Sequence, residues 1–327
     1  MTNPSDPVGA SPPGPGIFGL EGRATPGLYL VGWIATVMGL AVLVVSLLSA
    51  GSAAAPWLFL AGLLVLALGV VSAAGSQAVE RSRRTDLVYR GPSPVLVFLV
   101  VVPVTLIGIL VVLAPLSAVG LDARSPIATT LSLLLTMLVY VAVVRLLVVG
   151  PGSLGWRDMG LALPAGAAVR DLLIGAAFAV PVLVVTLLLG GLLSRFLEPS
   201  PNALPPAGNP MGLVANLVSA AILAPVGEEL FFRGFATTAW ARAIGVGPAV
   251  VRGALFFALA HVVTLFDSSF AEGAQRALFS FVALLPVGIA LGWLFLKRGS
   301  LYAAIGLHGA FNAIQVVLLY LVVSPAS

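Results

Sequence analysis

The segment LVANLVSAAILAPVGEELFFRG, residues 213–234, places three charged side chains in the interior of a long apolar run. The charges are Glu228, Glu229 and Arg233. Glu229 and Arg233 are four residues apart, so on a helix they share one face with the acid first, the favourable order for an ion pair. Glu228 is rotated by about 100° from that face, which leaves it without a local partner. A purely structural network of three charges leaves Glu228 unexplained, and the segment therefore predicts a membrane-embedded helix that carries a functional acid.

The composition of the whole chain indicates a membrane protein. Of its 327 residues, 60% are hydrophobic and only 9% are charged, whereas a soluble globular protein carries about 25% charged residues. The apolar runs are continuous rather than alternating, so helices are the spanning structure that they favour. The predicted fold class is therefore all-α, a polytopic transmembrane helical bundle of about nine spans (eight to nine).

Nine segments are apolar over the roughly 20 residues that a helix needs to cross the hydrocarbon core of a bilayer. Their approximate ranges are 28–49, 54–76, 94–118, 127–149, 171–193, 212–240, 248–266, 277–296 and 300–323. Three regions follow from this pattern. They are a disordered tail over residues 1–26, rich in Pro, Gly and Ser, then N-terminal transmembrane helices over 27–150, and then a core over 151–327 that holds the charged segment.

The basic residues predict the direction of the spans, because Lys and Arg accumulate in cytoplasmic loops. With a cytoplasmic N-terminus, the alternate loops divide them thirteen to three. The thirteen are Arg23, Arg81, Arg83, Arg84, Arg90, Arg145, Arg157, Arg170, Arg233, Arg242, Arg252, Lys297 and Arg298, and the three are Arg124, Arg195 and Arg276. We expect an integral protein of the plasma (inner) membrane with its C-terminus outside. The net charge of +4 is small and scattered, so the expected partner is the lipid bilayer and no nucleic acid.

The chain has two histidines, His261 and His308, and both follow the Glu pair in separate apolar spans. Asn312 lies one helical turn after His308, on the same face. Cysteine is absent and no serine lies in a comparable polar setting, so a covalent nucleophile is not expected. The set instead suits activation of water. Glu228, helped by His261, would take the proton, and His308 and Asn312 would donate hydrogen bonds to an oxyanion.

A divalent metal ion is a second way to activate water with these residues. Two histidines and a carboxylate can hold zinc with one coordination position open, which makes Glu228, His261 and His308 candidate metal ligands. The HExxH spacing of helical zinc sites is absent, and a chain without cysteine cannot form a Cys-based zinc site. The sequence leaves the metal-dependent and the metal-free chemistry open.

Pro225 and Gly227 directly precede the Glu pair. Proline frees a backbone carbonyl about one turn earlier, and glycine removes a side chain. A break of the helix at this point would make room for water beside Glu228. A kink that serves only the packing of the helix is the alternative, and the sequence favours neither.

Three motifs in this part of the chain resemble those of a known family. EELFFRG (228–234) resembles an EExxxR motif, and ALFFALAH (254–261) resembles an FxxxH motif through Phe257 and His261. The segment LPVGIALGWLFLKRGSLYAAIGLHGAFNAI (285–314) ends in an HxxxN motif. In this order and spacing they are similar to the CPBP intramembrane proteases, which include type II CAAX prenyl endopeptidases and Abi-type bacteriocin-immunity proteins. The stretch WRDMGLAL (156–163) resembles the segment before that core.

The resemblance implies hydrolysis of a peptide bond within the membrane, in a membrane-embedded or lipidated protein or peptide. It implies that Glu228 and His261 act on the water, that His308 and Asn312 bind the oxyanion, and that Glu229 and Arg233 give structural support. The region 151–327 is then the protease core. The family is usually described as metalloproteases, although a metal-free glutamate mechanism is also argued for it. Two other hypotheses are a proton-coupled transporter and a catalytically silent membrane scaffold of the same family.

Overall fold

The computed structural model describes residues 19–199, 209–263 and 270–323, and these residues form helices and no strand. The helices are α1 (Pro26–Leu48), α2 (Ala55–Ser82), α3 (Pro94–Ala118), α4 (Pro126–Val149), α5 (Ala165–Leu193), α6 (Pro210–Ile244), α7 (Val246–Val262), α8 (Phe270–Arg298) and α9 (Leu301–Val323). Of the predicted disordered tail over 1–26, residues 1–18 lie outside the described ranges, and Pro26 begins α1. The predicted all-α class is confirmed for the part of the chain that the structure describes.

Eight of the helices in the described ranges are long and apolar enough to cross a membrane. α7 is shorter, with 17 residues, so its length is about 25 Å against about 30 Å of hydrocarbon core. The predicted seventh span, 248–266, extends past α7 into residues outside the described ranges. The expected eight to nine spans are therefore confirmed, and the chain is an integral membrane protein.

α1 and α2 form a closely packed pair of helices. A Cβ atom at Gly39 of α1 would lie 2.6 Å from the Cα atom of Leu66, and one at Gly32 would lie 3.0 Å from that of Ala73. Small residues allow two helix backbones to approach this closely, which is a common way for membrane helices to pack. α3 packs against α2 and α4, and both α3 and α4 contact α6, so the N-terminal helices join the rest of the bundle through these two helices.

α6 contacts more of the bundle than its neighbours in sequence. It packs against α4, α7, α8 and α9, while α5 packs against α8 and α9. The charged segment on α6 is therefore surrounded by helices from both sides of the predicted boundary at residue 150. The division of the chain into N-terminal helices and a protease core stays a prediction, although α4 contacts the helix that carries the Glu pair.

The loops that the basic residues assign to the cytoplasmic side meet at one end of the bundle. They are joined by the ion pairs Arg23–Glu80 and Arg242–Asp158, by the close approach of Gly91 to Ser153, and by the hydrogen bond from the Leu301 N–H to the Gly160 carbonyl. This grouping agrees with the predicted alternation of the spans. One part of the count was wrong: Arg233 is 1% exposed inside α6 and belongs to no loop. The orientation of the spans stays a prediction.

Candidate active site

The Glu pair lies in a short α-helical stretch of α6 between two π-helical stretches. The α-helical stretch is Ala224–Glu229, and the π-helical ones are Val218–Leu223 and Leu230–Thr237. A π-helical turn accommodates an extra residue, which changes the direction of the side chains that follow, and such turns are frequent at functional sites. α6 therefore continues through Pro225 without a break, and its winding changes from π-helical to α-helical just before this residue.

Gly227 brings α6 against α4. A Cβ atom at this position would lie 2.9 Å from the Cα atom of Met137, so the approach of the two backbones requires glycine. Phe231 then packs against Tyr140 of α4, with ring centroids 5.1 Å apart, and against Phe98 of α3 at 5.9 Å. The structure favours a packing role for Gly227, and the aromatic residues of the motif anchor the turn that carries the Glu pair.

The two adjacent glutamates have different environments. The side chain of Glu228 is 17% exposed, while that of Glu229 is completely buried. Among the described residues, Oε2 of Glu228 has no hydrogen-bond partner, although it faces two histidine rings. Oε2 of Glu229 is likewise without a partner among the described residues. Because a buried carboxylate oxygen without a partner is costly, a further hydrogen bond to either oxygen would be favourable, and Glu228 is the more accessible of the two side chains.

Arg233 forms the ion pair with Glu229 that the i, i+4 spacing predicts. Its Nη1 atom donates to Oε1 of Glu229 at 2.9 Å, and its Nη2 atom donates to the carbonyl of Gly288 on α8 at 3.4 Å. The guanidinium carbon also lies 4.2 Å from the centroid of the Phe257 ring, a favourable position for a cation–π contact. Arg233 thus connects α6 to α7 and α8, and its charge is balanced by a buried carboxylate.

His308 contacts both members of the Glu pair. Its Nδ1 atom lies 2.7 Å from Oε1 of Glu229, and its Nε2 atom lies 4.0 Å from Oε2 of Glu228. A carboxylate accepts, so Nδ1 carries the hydrogen of the shorter contact whenever Glu229 is ionised. The bond to Glu229 therefore turns Nε2 of His308 toward Glu228.

His261 is held in a similar way by the backbone of its own helix. Its Nδ1 atom lies 2.8 Å from the carbonyl oxygen of Phe257. A carbonyl only accepts, so Nδ1 is the protonated nitrogen and Nε2 is directed elsewhere. Nε2 lies 3.5 Å from Oε2 of Glu228, and the side chain is 34% exposed. His261 is thus the most accessible of the five charged or titratable groups that meet here.

This arrangement constrains where protons reside. In their neutral forms, both imidazole rings present an Nε2 lone pair to the Glu228 carboxylate, because each Nδ1 holds its hydrogen in another bond. A lone pair that faces a carboxylate is repulsive, so at least one proton is shared within the group Glu228, His261 and His308, or a water molecule donates to two of them.

Asn312 lies on the same helix as His308, one turn further on, as the sequence predicts. Its Nδ2 atom donates to the carbonyl of Ala220 at 2.8 Å. Ala220 belongs to the first π-helical stretch of α6, so the amide joins α9 to the helix that carries Glu228. An amide nitrogen has two hydrogens, and this bond uses one of them.

The three candidate metal ligands face one another, but their spacing is not that of a formed zinc site. Zinc bonds of about 2.0–2.1 Å in tetrahedral geometry hold the ligand atoms about 3.3 Å apart. Oε2 of Glu228 lies 3.5 Å from Nε2 of His261 and 4.0 Å from that of His308. Within the described ranges, no group of three His, Asp or Glu residues is arranged to hold a metal ion. The residues do not fit zinc as placed, and metal binding stays a prediction.

Two contacts of the site were not expected from the sequence. Glu229 was assigned only to Arg233, yet it also binds His308, which is 79 residues away. Asn312 was assigned to the oxyanion, and its bond to the Ala220 carbonyl was not foreseen. The hydrogen bond from His261 to the Phe257 carbonyl could have been predicted from the sequence, because a histidine side chain on a helix can reach the carbonyl four residues earlier.

A scan against protein families matches residues 210–314 to the Rce1-like family, type II CAAX prenyl endopeptidase Rce1-like. No curated protein and no solved structure matches the chain. The matched residues include Glu228, Glu229, Arg233, His261, His308 and Asn312. The match covers the whole candidate site and supports the CPBP/CAAX protease family that the three motifs predicted.

Proposed function

We propose that the protein is an intramembrane endopeptidase that hydrolyses a peptide bond in a membrane-associated or lipidated protein. The observation that carries the proposal is the convergence of α6, α7 and α9 at Glu228, whose carboxylate faces Nε2 of His261 at 3.5 Å and Nε2 of His308 at 4.0 Å. The family of residues 210–314 supports the reaction type. A partly exposed acid beside a histidine is the arrangement that general-base activation of water needs.

In the proposed reaction, a water molecule bound between Glu228 and His261 attacks the carbonyl carbon of the substrate. Glu228 accepts the proton of the water as the new C–O bond forms. The proton then passes from Glu228 to the nitrogen of the leaving amine as the C–N bond breaks. His261 stabilises the charge on the Glu228–His261 pair during this transfer. The partial exposure of both side chains gives the water and the substrate access to this position.

The tetrahedral intermediate carries a negative oxygen that needs hydrogen-bond donors. Nε2 of His308 is a donor when the ring is protonated on both nitrogens, and the Glu229 carboxylate then accepts the hydrogen bond from Nδ1. The second N–H of Asn312 is the other proposed donor. Glu229 then has a positioning role toward His308, and Arg233 balances its charge.

The test uses the purified protein in liposomes and two internally quenched peptides of the same sequence. One is farnesylated at the cysteine of a C-terminal Cys-aliphatic-aliphatic-X sequence, and the other is not lipidated. We expect the farnesylated peptide to be cleaved, and we expect Glu228→Ala to reduce the rate by about 10²–10⁴, the usual contribution of a general base.

Glu198→Ala is the matched control, because Glu198 is an acid in a partly exposed ion pair with Arg276 and takes no part in the site. It should cleave like the wild type. Equal cleavage of the two peptides would reject lipid recognition but not hydrolysis. A folded wild-type protein that cleaves neither peptide, but carries a proton flux across the liposome that depends on Glu228, would support the proton-coupled transporter instead. A folded protein that shows neither peptide cleavage nor proton flux would support the catalytically silent scaffold.

A further inference from the structure

The winding of α6 leaves the carbonyl of Ala220 without a backbone donor. In an α-helix the donor is the N–H of Ala224, but this N–H bonds to the carbonyl of Ser219, five residues earlier. In the same i to i+5 register, the donor for Ala220 would be residue 225, which is a proline and has no N–H. Ala220 is buried, with 7% exposure, so its carbonyl requires a donor from outside the helix.

Asn312 provides that donor from α9, through the 2.8 Å bond from Nδ2 to the Ala220 oxygen. The backbones of α6 and α9 approach closely at the same level. A Cβ atom at Gly309 would lie 2.6 Å from the carbonyl oxygen of Ala221, so glycine permits the contact. The amide bond of Asn312 is therefore part of a closely packed crossing of the two helices, and both helices carry residues of the site.

We infer that Pro225 is a positioning residue that acts through Asn312. By removing the N–H that would otherwise bond to Ala220, Pro225 reserves this carbonyl for the amide of Asn312. The bond fixes the direction of the second N–H of that amide and holds the face of α9 with His308 against Glu228. The catalytic consequence rests on the proposed hydrolysis, whereas the coupling of Pro225 and Asn312 through one carbonyl does not.

The coupling is tested by a double-mutant cycle in purified protein, with the melting temperature as the readout. Asn312→Ala should lower the melting temperature by about 3 °C or more, because a buried acceptor loses its donor. In the Pro225→Ala background, the new N–H of residue 225 can bond to Ala220, and the same Asn312→Ala change should lower the melting temperature by less than half as much. Additive effects in the two backgrounds would overturn the inference.

Pro115→Ala provides the matched background, since Pro115 is a proline inside α3 that is exposed on the bundle surface. There, Asn312→Ala should lower the melting temperature as much as it does in the wild type. A reduced effect in the Pro115→Ala background as well would show that any helix proline gives the result, and it would overturn the specific role of Pro225.

The positioning role is tested by the kinetics of Pro225→Ala with the farnesylated peptide. We expect kcat to fall about 10-fold with KM unchanged and without a lower melting temperature, because the Asn312 amide then shares its acceptor with the backbone and loses its fixed direction. An unchanged kcat would overturn the positioning role even if the thermal coupling is observed. A wild-type protein that cleaves no peptide would instead contradict the proposed function, and the thermal cycle would still decide the coupling.

Discussion

The Nδ1 atom of His308 lies 2.7 Å from Oε1 of Glu229, the same oxygen that accepts a hydrogen bond from Arg233 at 2.9 Å. One carboxylate oxygen therefore joins α6 to α9 and balances a buried guanidinium. The neighbouring acid, Glu228, takes no part in this cluster and faces the Nε2 atoms of both histidines. Two adjacent residues of the same type thus have separate structural roles, and neutralising each of them should have different consequences.

Glu228→Gln should abolish most of the activity and leave the fold intact. The amide cannot accept the proton of the attacking water, so the rate should fall by about 10²–10⁴. The melting temperature should stay near that of the wild type, because the Glu228 oxygen that is lost has no hydrogen-bond partner among the described residues. The measurement is cleavage of the quenched peptide beside thermal unfolding, and a variant with wild-type rates would contradict the role of general base.

Glu229→Gln should destabilise the protein as well as inactivate it. Removing one partner of a buried ion pair leaves the other charge uncompensated, at a cost of about 3–5 kcal/mol. Arg233 is 1% exposed and would be stranded in this way, while His308 would lose the carboxylate that orients its ring. The melting temperature should fall by at least about 5 °C. If Glu229→Gln unfolds like Glu228→Gln and keeps its activity, the cluster has no positioning role.

Arg233→Lys should not rescue the function of Arg233 although it keeps the charge. The guanidinium binds Glu229 and the Gly288 carbonyl through different nitrogens and lies over the ring of Phe257. A lysine offers one ammonium point in place of this planar fork, so it can keep the ion pair but not the contact to α8. We expect a lower melting temperature and a reduced kcat. A Lys variant that matches the wild type in both would show that charge alone is sufficient.

The parts of the fold and site that the sequence predicted are those that depend on local spacing or on composition. The apolar runs gave the helices, and the four-residue spacing gave the pair of Glu229 and Arg233. The convergence of His261 and His308 on Glu228 was expected because the chain has two histidines and both lie in apolar spans. Each of these inferences needs only the period of a regular helix and the cost of placing polar groups in a membrane.

The parts that were missed depend on contacts between distant residues or on irregular helix geometry. No pattern in the sequence links Glu229 to His308. The bond between Asn312 and Ala220 depends on the π-helical register around Pro225, which differs from the regular period of 3.6 residues per turn. Arg233 was counted with the loops because a count of basic residues does not distinguish a loop charge from a buried, paired one.

The topology can be tested by labelling single cysteines, because the natural chain has none. Gly245 and Gly299 have positive φ angles of 88° and 60°, so a cysteine in these turns would be strained. The exposed residues Val88 and Val246 are better sites on the proposed cytoplasmic side, with Val119 and Phe196 on the opposite side.

A membrane-impermeant thiol reagent applied to intact cells should label Val119→Cys and Phe196→Cys, while Val88→Cys and Val246→Cys should react only after the membrane is permeabilised. This outcome would agree with the proposed orientation, which has a cytoplasmic N-terminus in the plasma (inner) membrane. The reverse pattern would invert the orientation. Labelling of one member of a pair without the other would contradict the predicted alternation of the spans.

Cleavage by this protein should not require zinc. Each histidine holds its Nδ1 hydrogen in a bond to Phe257 or Glu229, and the Nε2 atoms lie 3.5 and 4.0 Å from Oε2 of Glu228. The 4.0 Å distance to His308 is wider than zinc would impose, and no group of three His, Asp or Glu among the described residues is arranged to hold a metal ion. We therefore expect the purified wild type to cleave the peptide at an unchanged rate after dialysis against a chelator, with zinc far below one equivalent by elemental analysis.

Asp122→Asn, in an exposed loop away from the site, controls for zinc that binds carboxylates at random. The opposite result has three parts. The wild type and this control would each retain one equivalent of zinc, Glu228→Gln and His261→Ala would lose it, and zinc alone would restore activity to the dialysed wild type. In that case Glu228 and His261 are ligands of the ion. Glu228 would then hold the metal instead of accepting the proton directly.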